Sequence, residues 1–546
     1  MPNRPFIFCS SVPENAEEVP GIWRNKNSVG FRVPLNAHSL LGWQPPVSQV
    51  GDAEIALSLR NKILREDLRD FAKPHQKKML RKALAVPGAH CWAPPGAGKT
   101  LVGLCYLSVI AADDIKLVIT KAAARGTWAE QCERYTNLTP VLLTGQKPGE
   151  FVARTDHLYI TAWETIKYWR EALIRLAPKG IVWDEIHWLR RPKHTKATVM
   201  PDGSVAYEGI GNSLDAARQV AEKAERRLAL TATPIPGRVR DLWTQLDIIE
   251  PWQWGTFYQF GMRYCGGRHN GYGYEYKGLT NKYELRDRLD FVKCRVEREE
   301  VNRHLPKKRR EVIRLDQSQQ NKPSSMKREL ARAAKMAKGG GEDARESYFE
   351  TLLMEAASRK HSYVEDRVAT ALRSGQKVTV FSGRRLDCER LAEKLSKVAE
   401  TLGAQVWWAH GGTEPEDRDK IRHEYMRHPG PCLLVGTGDA WGESVDLQDT
   451  DLALISMLPW TPDKIIQWEG RFARLGQKRP VLVSYVIARN TADERVADLL
   501  LDKLPHVGEI AEDKAADEIE GVLGGIDESE GSAERLLERV AQLTSS

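Results

Sequence analysis

Ala93-Pro94-Pro95-Gly96-Ala97-Gly98-Lys99-Thr100 is the stretch on which the reading of this chain turns. Gly96 and Gly98 lack Cβ atoms, so the backbone can curl tightly and aim its N–H groups at anionic oxygens. Lys99 and the Thr100 hydroxyl then suit the β/γ-phosphates and the Mg²⁺ of a nucleoside triphosphate. The usual loop of this kind begins with Gly, and here Ala93 takes that position. His90-Cys91-Trp92 reads as the end of a strand, and Val102, Cys105, Tyr106 and Val109 follow at helical spacing. An ordinary Gly-rich loop before a helix needs no ligand. The order strand, loop, helix, with a helix N-terminus facing the loop, favours the nucleotide. Gly96, Ala97, Gly98, Lys99 and Thr100 are the candidate ATP-binding residues.

Outward from the loop, short apolar runs alternate with helical patterns. Over residues 51–255 the runs are Leu117–Ile119, Leu158–Ile160, Ile181–Trp183 and Leu228–Leu230. Continuous apolar runs predict strands of a parallel sheet covered on both faces. The grammar returns in 363–500 with Val378–Phe381, Val406–Trp408, Leu433–Val435, Leu452–Ile455 and Val481–Val483. Two α/β lobes with doubly wound parallel sheets follow. Residues 256–362 are rich in Arg, Lys and Tyr and are broken by Gly339-Gly340-Gly341, which reads as helical insertion and linker. In residues 1–50, Gly21-Ile22-Trp23 and Phe31-Arg32-Val33-Pro34 read as a hairpin in a small β module.

Asp184-Glu185-Ile186-His187 follows the run 181–183, at the strand end where open α/β sheets place ligands. Asp184 there can hold Mg²⁺ opposite Thr100, and Glu185 can orient and deprotonate a water. A solvated acidic pair is the alternative, and the phosphate loop upstream weighs against it. Leu230-Thr231-Ala232-Thr233-Pro234 places Thr231 and Thr233 where they can bond the acidic pair and couple it to the second lobe; a capped turn is the plainer reading. In Gln467-Trp468-Glu469-Gly470-Arg471-Phe472-Ala473-Arg474-Leu475-Gly476-Gln477, Arg471 and Arg474 would share one helix face and suit a γ-phosphate. A pair of surface arginines is the bland alternative. Gln76, after His75, can read an adenine edge with its paired donor and acceptor.

The 546 residues allow several domains, and 41% apolar content is ordinary for a water-soluble chain. No apolar run is long enough for a bilayer, and Met1-Pro2-Asn3-Arg4 lacks a signal-peptide core, so no membrane partner is expected and a cytoplasmic or nuclear setting is the default. The eight cysteines include no Cys-x-x-Cys pair, which argues against metal ribbons and a disulfide framework. The net charge of +7 is unevenly spread. Residues 303–340 hold twelve Lys/Arg against three Asp/Glu, and 509–530 hold nine Asp/Glu and one Lys. The basic stretch can neutralise nucleic-acid phosphates or form a solvated helix face. The acidic tail, 501–546, reads as a loose terminus able to compete for the basic surface.

Together these segments resemble the superfamily-two helicase-type ATPases, and more narrowly the Swi/Snf-type double-stranded DNA translocases. The matching pieces are Gln76, the loop 93–100, Trp128, Ile160–Thr165, the box 184–187, Leu230–Pro234, Phe381-Ser382, His410-Gly411, Gly442–Leu447 and Gln467–Gln477, whose Arg474-Leu475-Gly476-Gln477 ending is the most specific. Gly261-Met262-Arg263-Tyr264-Cys265 and the N-terminal β module resemble the annealing-helicase, fork-remodelling branch. Asp446, Ala232 and Gly470 depart from the usual pattern.

The resemblance implies two RecA-like lobes, 51–255 and 363–500, around ATP and Mg²⁺. Lys99, Thr100, Asp184 and the catalytic Glu185 stand on one side, with Gln467 and the catalytic Arg471 and Arg474 on the other. It implies a monomer tracking double-stranded or forked DNA without sequence preference, in a nucleoid or nucleus. Trp163, Lys307, Lys308, Arg309 and Gly442 are the candidate DNA contacts. An RNA helicase, or an ATP-switched binding subunit of a larger complex, remains open at this point.

Overall fold

The computed structural model describes residues 6–9, 23–24, 31–34, 63–64, 72–109, 114–148, 152–189, 196–199, 205–208, 212–271, 273–301, 306, 308–321, 327–339, 342–441, 447–472, 477 and 479–524. By internal contacts the chain divides into two units, Met1–Arg303 and His304–Ser546. The division falls inside the stretch 256–362, which therefore belongs partly to each unit.

In the first unit, β1 (Phe6–Cys9), β2 (Trp23–Arg24) and β3 (Phe31–Pro34) form an antiparallel sheet in the order β1-β3-β2. The expected hairpin is its β2–β3 pair. The main sheet has seven strands: β4 (Gly88–Trp92), β5 (Lys116–Thr120), β6 (Thr139–Leu142), β7 (His157–Ala162), β8 (Gly180–Asp184), β11 (Arg226–Thr231) and β14 (Lys293–Arg295). Their order is β14-β4-β11-β8-β5-β7-β6, and every pair is parallel. β9 (Lys196–Val199) pairs with β10 (Val205–Glu208), and β12 (Arg268–His269) with β13 (Tyr274–Glu275), both antiparallel. β5 and β8 are buried throughout, as their apolar runs predict, and so is β4, where His90-Cys91-Trp92 reads as a strand end. One core joins β4, β8 and β11 to the helices Pro74–Ala85 and Lys99–Ser108 through Met79, Leu80, Val102, Tyr106, Val182 and Leu228.

The second unit holds a six-stranded sheet, β15-β20-β19-β16-β18-β17, again parallel throughout. Its strands are β15 (Arg309–Leu315), β16 (Lys377–Ser382), β17 (Gln405–Ala409), β18 (Cys432–Thr437), β19 (Leu452–Ile455) and β20 (Leu482–Ala488). Val364, Val368, Val378, Leu391, Leu433 and Leu454 lie at the centre of its core.

Two expectations change. The stretch 256–362 is more than helix and linker, since β14 and β15 each close the edge of a sheet. β15 reads Arg-Arg-Glu-Val-Ile-Arg-Leu, and its charges hid it: a strand at an edge keeps polar side chains that a central strand cannot. The acidic tail begins as packed structure. Helices Leu504–Ala511 and Lys514–Gly524 bury Ile510, Ala516, Ile519 and Leu523, and the second of them lies on β15. Among the described residues no helix is long and apolar enough to cross a membrane.

Candidate nucleotide site

Because the first sheet is parallel, β4, β11, β8 and β5 present their C-terminal ends along one edge. Register aligns Trp92 with Thr231 and Leu230 with Asp184, and Ala93 N–H donates to the Thr231 carbonyl at 3.0 Å. The loop after β4, the threonines after β11 and the acidic box after β8 therefore meet there.

The loop has the backbone its glycines allow. Gly96 and Gly98 sit at φ 80° and 73°, in the left-handed region. Lys99 opens the helix Lys99–Ser108, with Thr100 second, and its ammonium donates to the Ala93 carbonyl at 3.1 Å. Gln76 braces the loop from the neighbouring helix. Its Nε2 donates to the Ala97 carbonyl at 3.3 Å, and its Oε1 accepts from Lys73 N–H at 2.9 Å. His75 Nε2 lies 3.1 Å from the same carbonyl. A Cβ on Gly98 would stand 2.2 Å from Gln76 Nε2. Gly98→Ala thus combines a left-handed backbone penalty with displacement of the brace, and should destabilise the protein by about 1–2 kcal/mol. A melting temperature equal to wild type would contradict the brace.

Asp184 is buried. Thr120 Oγ1 and Trp128 Nε1 both donate to its Oδ2, at 2.8 and 2.9 Å, which leaves Oδ1 to the site. Burial, and then the neighbouring Glu185 charge, raise the Asp184 pKa. Glu185 has φ 50°, a strained backbone for a non-glycine residue. Burial opposes its charge, but Lys99, His187 and Lys121 outweigh burial and hold its carboxyl well below the usual range. His187 Nδ1 lies 3.2 Å from Glu185 Oε2 and 2.8 Å from Thr231 Oγ1, and Thr231 Oγ1 accepts from Thr233 N–H at 3.0 Å. The threonines reach the acidic pair through His187 rather than directly.

Sequence reasoning missed His75, the Thr120 hydroxyl and the bridging place of His187. The available signal was their position at strand ends or beside Gln76.

Trp163, a candidate DNA contact, is instead interior to the first unit. Its indole N–H donates to the Asp184 carbonyl at 2.9 Å and its ring stacks on Trp183, so no face is open to a base.

In the second unit Gln467 lies on the helix Pro462–Glu469. The helix stops before Arg471, which occupies the following turn, so the shared helix face expected for Arg471 and Arg474 does not extend to Arg471. Arg471 is buried, and its carbonyl accepts from Leu447 N–H at 3.0 Å. Phe472 packs against Phe381 at 5.3 Å and anchors the turn. Arg474, Lys307 and Gly442 lie outside the described residues.

Lys308 is not a surface contact. It pairs at 2.6 Å with Glu469, which is fully buried, and Arg310 pairs with the same carboxylate at 2.7 Å. Only Arg309 of the described basic cluster is exposed.

Residues 209–364 match the SNF2-related domain and residues 360–476 the helicase conserved C-terminal domain. The chain is 27% identical over 421 residues to the SWI/SNF-related matrix-associated actin-dependent regulator of chromatin subfamily A-like protein 1 of Xenopus laevis, covering 76% of this chain and 41% of that protein. Both domain matches and this relative make the chain similar to the Swi/Snf-type branch of superfamily two. A second similar protein is the DNA annealing helicase and endonuclease ZRANB3 of Mus musculus, 22% identical over 467 residues, with 82% of this chain and 41% of that protein covered. The chain thus spans about two fifths of the length of these relatives. The Sulfolobus solfataricus SWI2/SNF2 ATPase core in complex with dsDNA aligns at a TM-score of 0.39 and 18% identity, covering 87% of this chain and 97% of that one. The SNF2-related match begins at residue 209, so the phosphate loop and the acidic box rest on their own geometry.

Proposed function

We propose that this chain is a DNA-dependent ATPase that couples hydrolysis to movement along, or remodelling of, double-stranded or branched DNA. The observation that carries this reading is the meeting of the phosphate loop and the Asp184–Glu185 pair at one sheet edge, in a chain that matches an SNF2-related domain and a helicase C-terminal domain. In this reading Lys99 leaves the Ala93 carbonyl for the β- and γ-phosphates, while Gln76 keeps the loop shaped around them.

The oxygen donors Thr100 Oγ1 and Asp184 Oδ1 fit Mg²⁺, which prefers few carboxylates alongside phosphate and water. The ion would neutralise phosphate charge there. Glu185 is ionised and takes the proton of the attacking water, and His187 and Thr231 fix its carboxylate. Thr231 and Thr233 carry the state of the site onward along the same hydrogen bonds. Arg471 and Arg474, with Gln467, are assigned to the γ-phosphate from the second lobe, where guanidinium groups stabilise the transferring phosphoryl group.

Contacts with DNA run mainly to phosphates, so binding is sequence-independent. The chain acts as a monomer, in the nucleoid or nucleus. The test is the ATPase rate with single-stranded, duplex and forked DNA and with RNA at one ionic strength. Strong stimulation by duplex or forked DNA is expected. Preference for RNA would favour an RNA helicase, and no stimulation by any DNA would overturn the proposal.

A further inference from the structure

Six of the fifteen tyrosines fall within residues 256–283, a stretch with four Lys/Arg and one Glu. The helix Phe257–Tyr264 and the β12–β13 hairpin bring three of them together. Tyr258 and Tyr274 meet edge to face at 5.0 Å and share a hydrogen bond between their hydroxyls, and each is 48% exposed. Tyr276 lies near-parallel to Tyr274, with ring centroids 6.4 Å apart. Met262, on the same helix as Tyr258, is exposed as well; His269 meets Tyr274 edge to face at 5.2 Å, and Arg268 and Lys277 pair with Glu275 of the hairpin at 3.6 and 3.2 Å.

This exposed aromatic face has a rigid footing. A Cβ on Gly261 would lie 2.4 Å from the Tyr276 ring, so the helix and the hairpin touch through a residue that must be small. Phe257 meets Tyr276 edge to face at 5.0 Å. Thr280 Oγ1 donates to the Arg263 carbonyl at 2.7 Å. Arg238 Nη1 donates to the Lys277 carbonyl at 2.5 Å, and Arg238 follows Thr231-Ala232-Thr233-Pro234 by four residues. The hairpin is therefore tied by one buried guanidinium to the segment that leaves the nucleotide site.

Two exposed tyrosine rings backed by the half-buried Tyr276, on a hairpin that carries Arg268, His269 and Lys277, form a surface suited to flat, anionic polymers. Bases stack on such rings whatever their sequence, while Arg268 and Lys277 can meet the phosphates beside them. Bases of an intact duplex keep their faces covered, so the accessible ligand is the unstacked base at a branch point.

We infer that the Tyr258–Tyr274–Tyr276 face is a stacking platform for unpaired bases at the branch of a forked DNA. The inference rests on the DNA-acting reading above and gives the branched substrate its own contact.

The test uses the whole chain, a forked DNA and a plain duplex of equal length, with 2-aminopurine at the branch as stacking reporter. Wild type should bind the fork more tightly by about tenfold and quench the reporter. The Tyr258→Ala/Tyr274→Ala double variant should bind both DNAs alike, with no quenching and with duplex-stimulated ATPase unchanged. Tyr258→Phe/Tyr274→Phe, which keeps the rings, should keep the fork preference. Fork preference or quenching that survives in the alanine variant overturns the platform, as does a wild type without either. Loss of stimulation by every DNA overturns the ATPase reading instead, and binding and quenching still report on the platform.

Discussion

Lys99→Ala is expected to lower DNA-stimulated ATP turnover by about a hundredfold to a thousandfold, the usual loss when a positioned charge or donor is removed from a phosphoryl-transfer site. Among the described residues the Lys99 ammonium makes one hydrogen bond, to the Ala93 carbonyl, and Lys99 is not part of the apolar core, so its removal leaves the sheet and the core untouched. Glu185→Gln should reach a similar loss by another route. The amide still fits beside His187 but takes no proton from water, so ATP should bind normally while phosphate release stops. Phosphate release and binding of a fluorescent ATP analogue separate the two variants. Full turnover in both would remove Lys99 and Glu185 from the site.

The second large effect is on stability. Glu469 is fully buried between Lys308 and Arg310, with the Tyr485 hydroxyl on the same carboxylate. Arg310 continues to Glu518 of the helix Lys514–Gly524. Glu469→Gln removes the buried carboxylate that Lys308 and Arg310 share and should destabilise the second unit by about 3–5 kcal/mol.

The same cluster sets an acid dependence. Burial works against the Glu469 carboxylate, but Lys308 and Arg310 prevail and hold its pKa at about 2 against the ordinary 4.5. The folded value lies below the unfolded one, so the stabilisation is fully present above about pH 4.5 and fades as pH falls toward 2. A depression of that size corresponds to about 3 kcal/mol. Denaturant unfolding at pH 5 and at pH 3 should therefore show the gap between wild type and Glu469→Gln narrowing in acid. A gap independent of pH would dissociate Glu469 from its cations.

How much of this was legible depended on whether side-chain chemistry and burial agreed. β5, β8 and β11 were readable as Leu117–Ile119, Ile181–Trp183 and Leu228–Leu230 because strands covered on both faces leave nothing but apolar residues. The loop at 93–100 was readable because only glycine reaches φ 73° without strain. β15 was not, because four of its seven residues are charged and find partners far away in sequence, such as Glu469 and Glu518. Lys308 misled for the same reason: a basic run looks solvated until a buried carboxylate appears opposite it. Trp163 misled in the other direction, since nothing local says that its N–H belongs to the Asp184 carbonyl.

The parallel pairing of β15 with β20 has a consequence for the birth of the protein. Glu311 lies opposite Ser484, 173 residues later in the chain. At roughly 5–20 residues per second on the ribosome, β15 emerges roughly 10–30 seconds before its neighbour exists. A bare strand in that interval invites pairing with other nascent chains. Arg309, Arg310, Glu311 and Arg314 make such pairing costly, because identical copies would set like charges against one another. The charges that join β15 to Glu469 and Glu518 in the folded sheet are the same ones that disfavour pairing between copies of the bare strand.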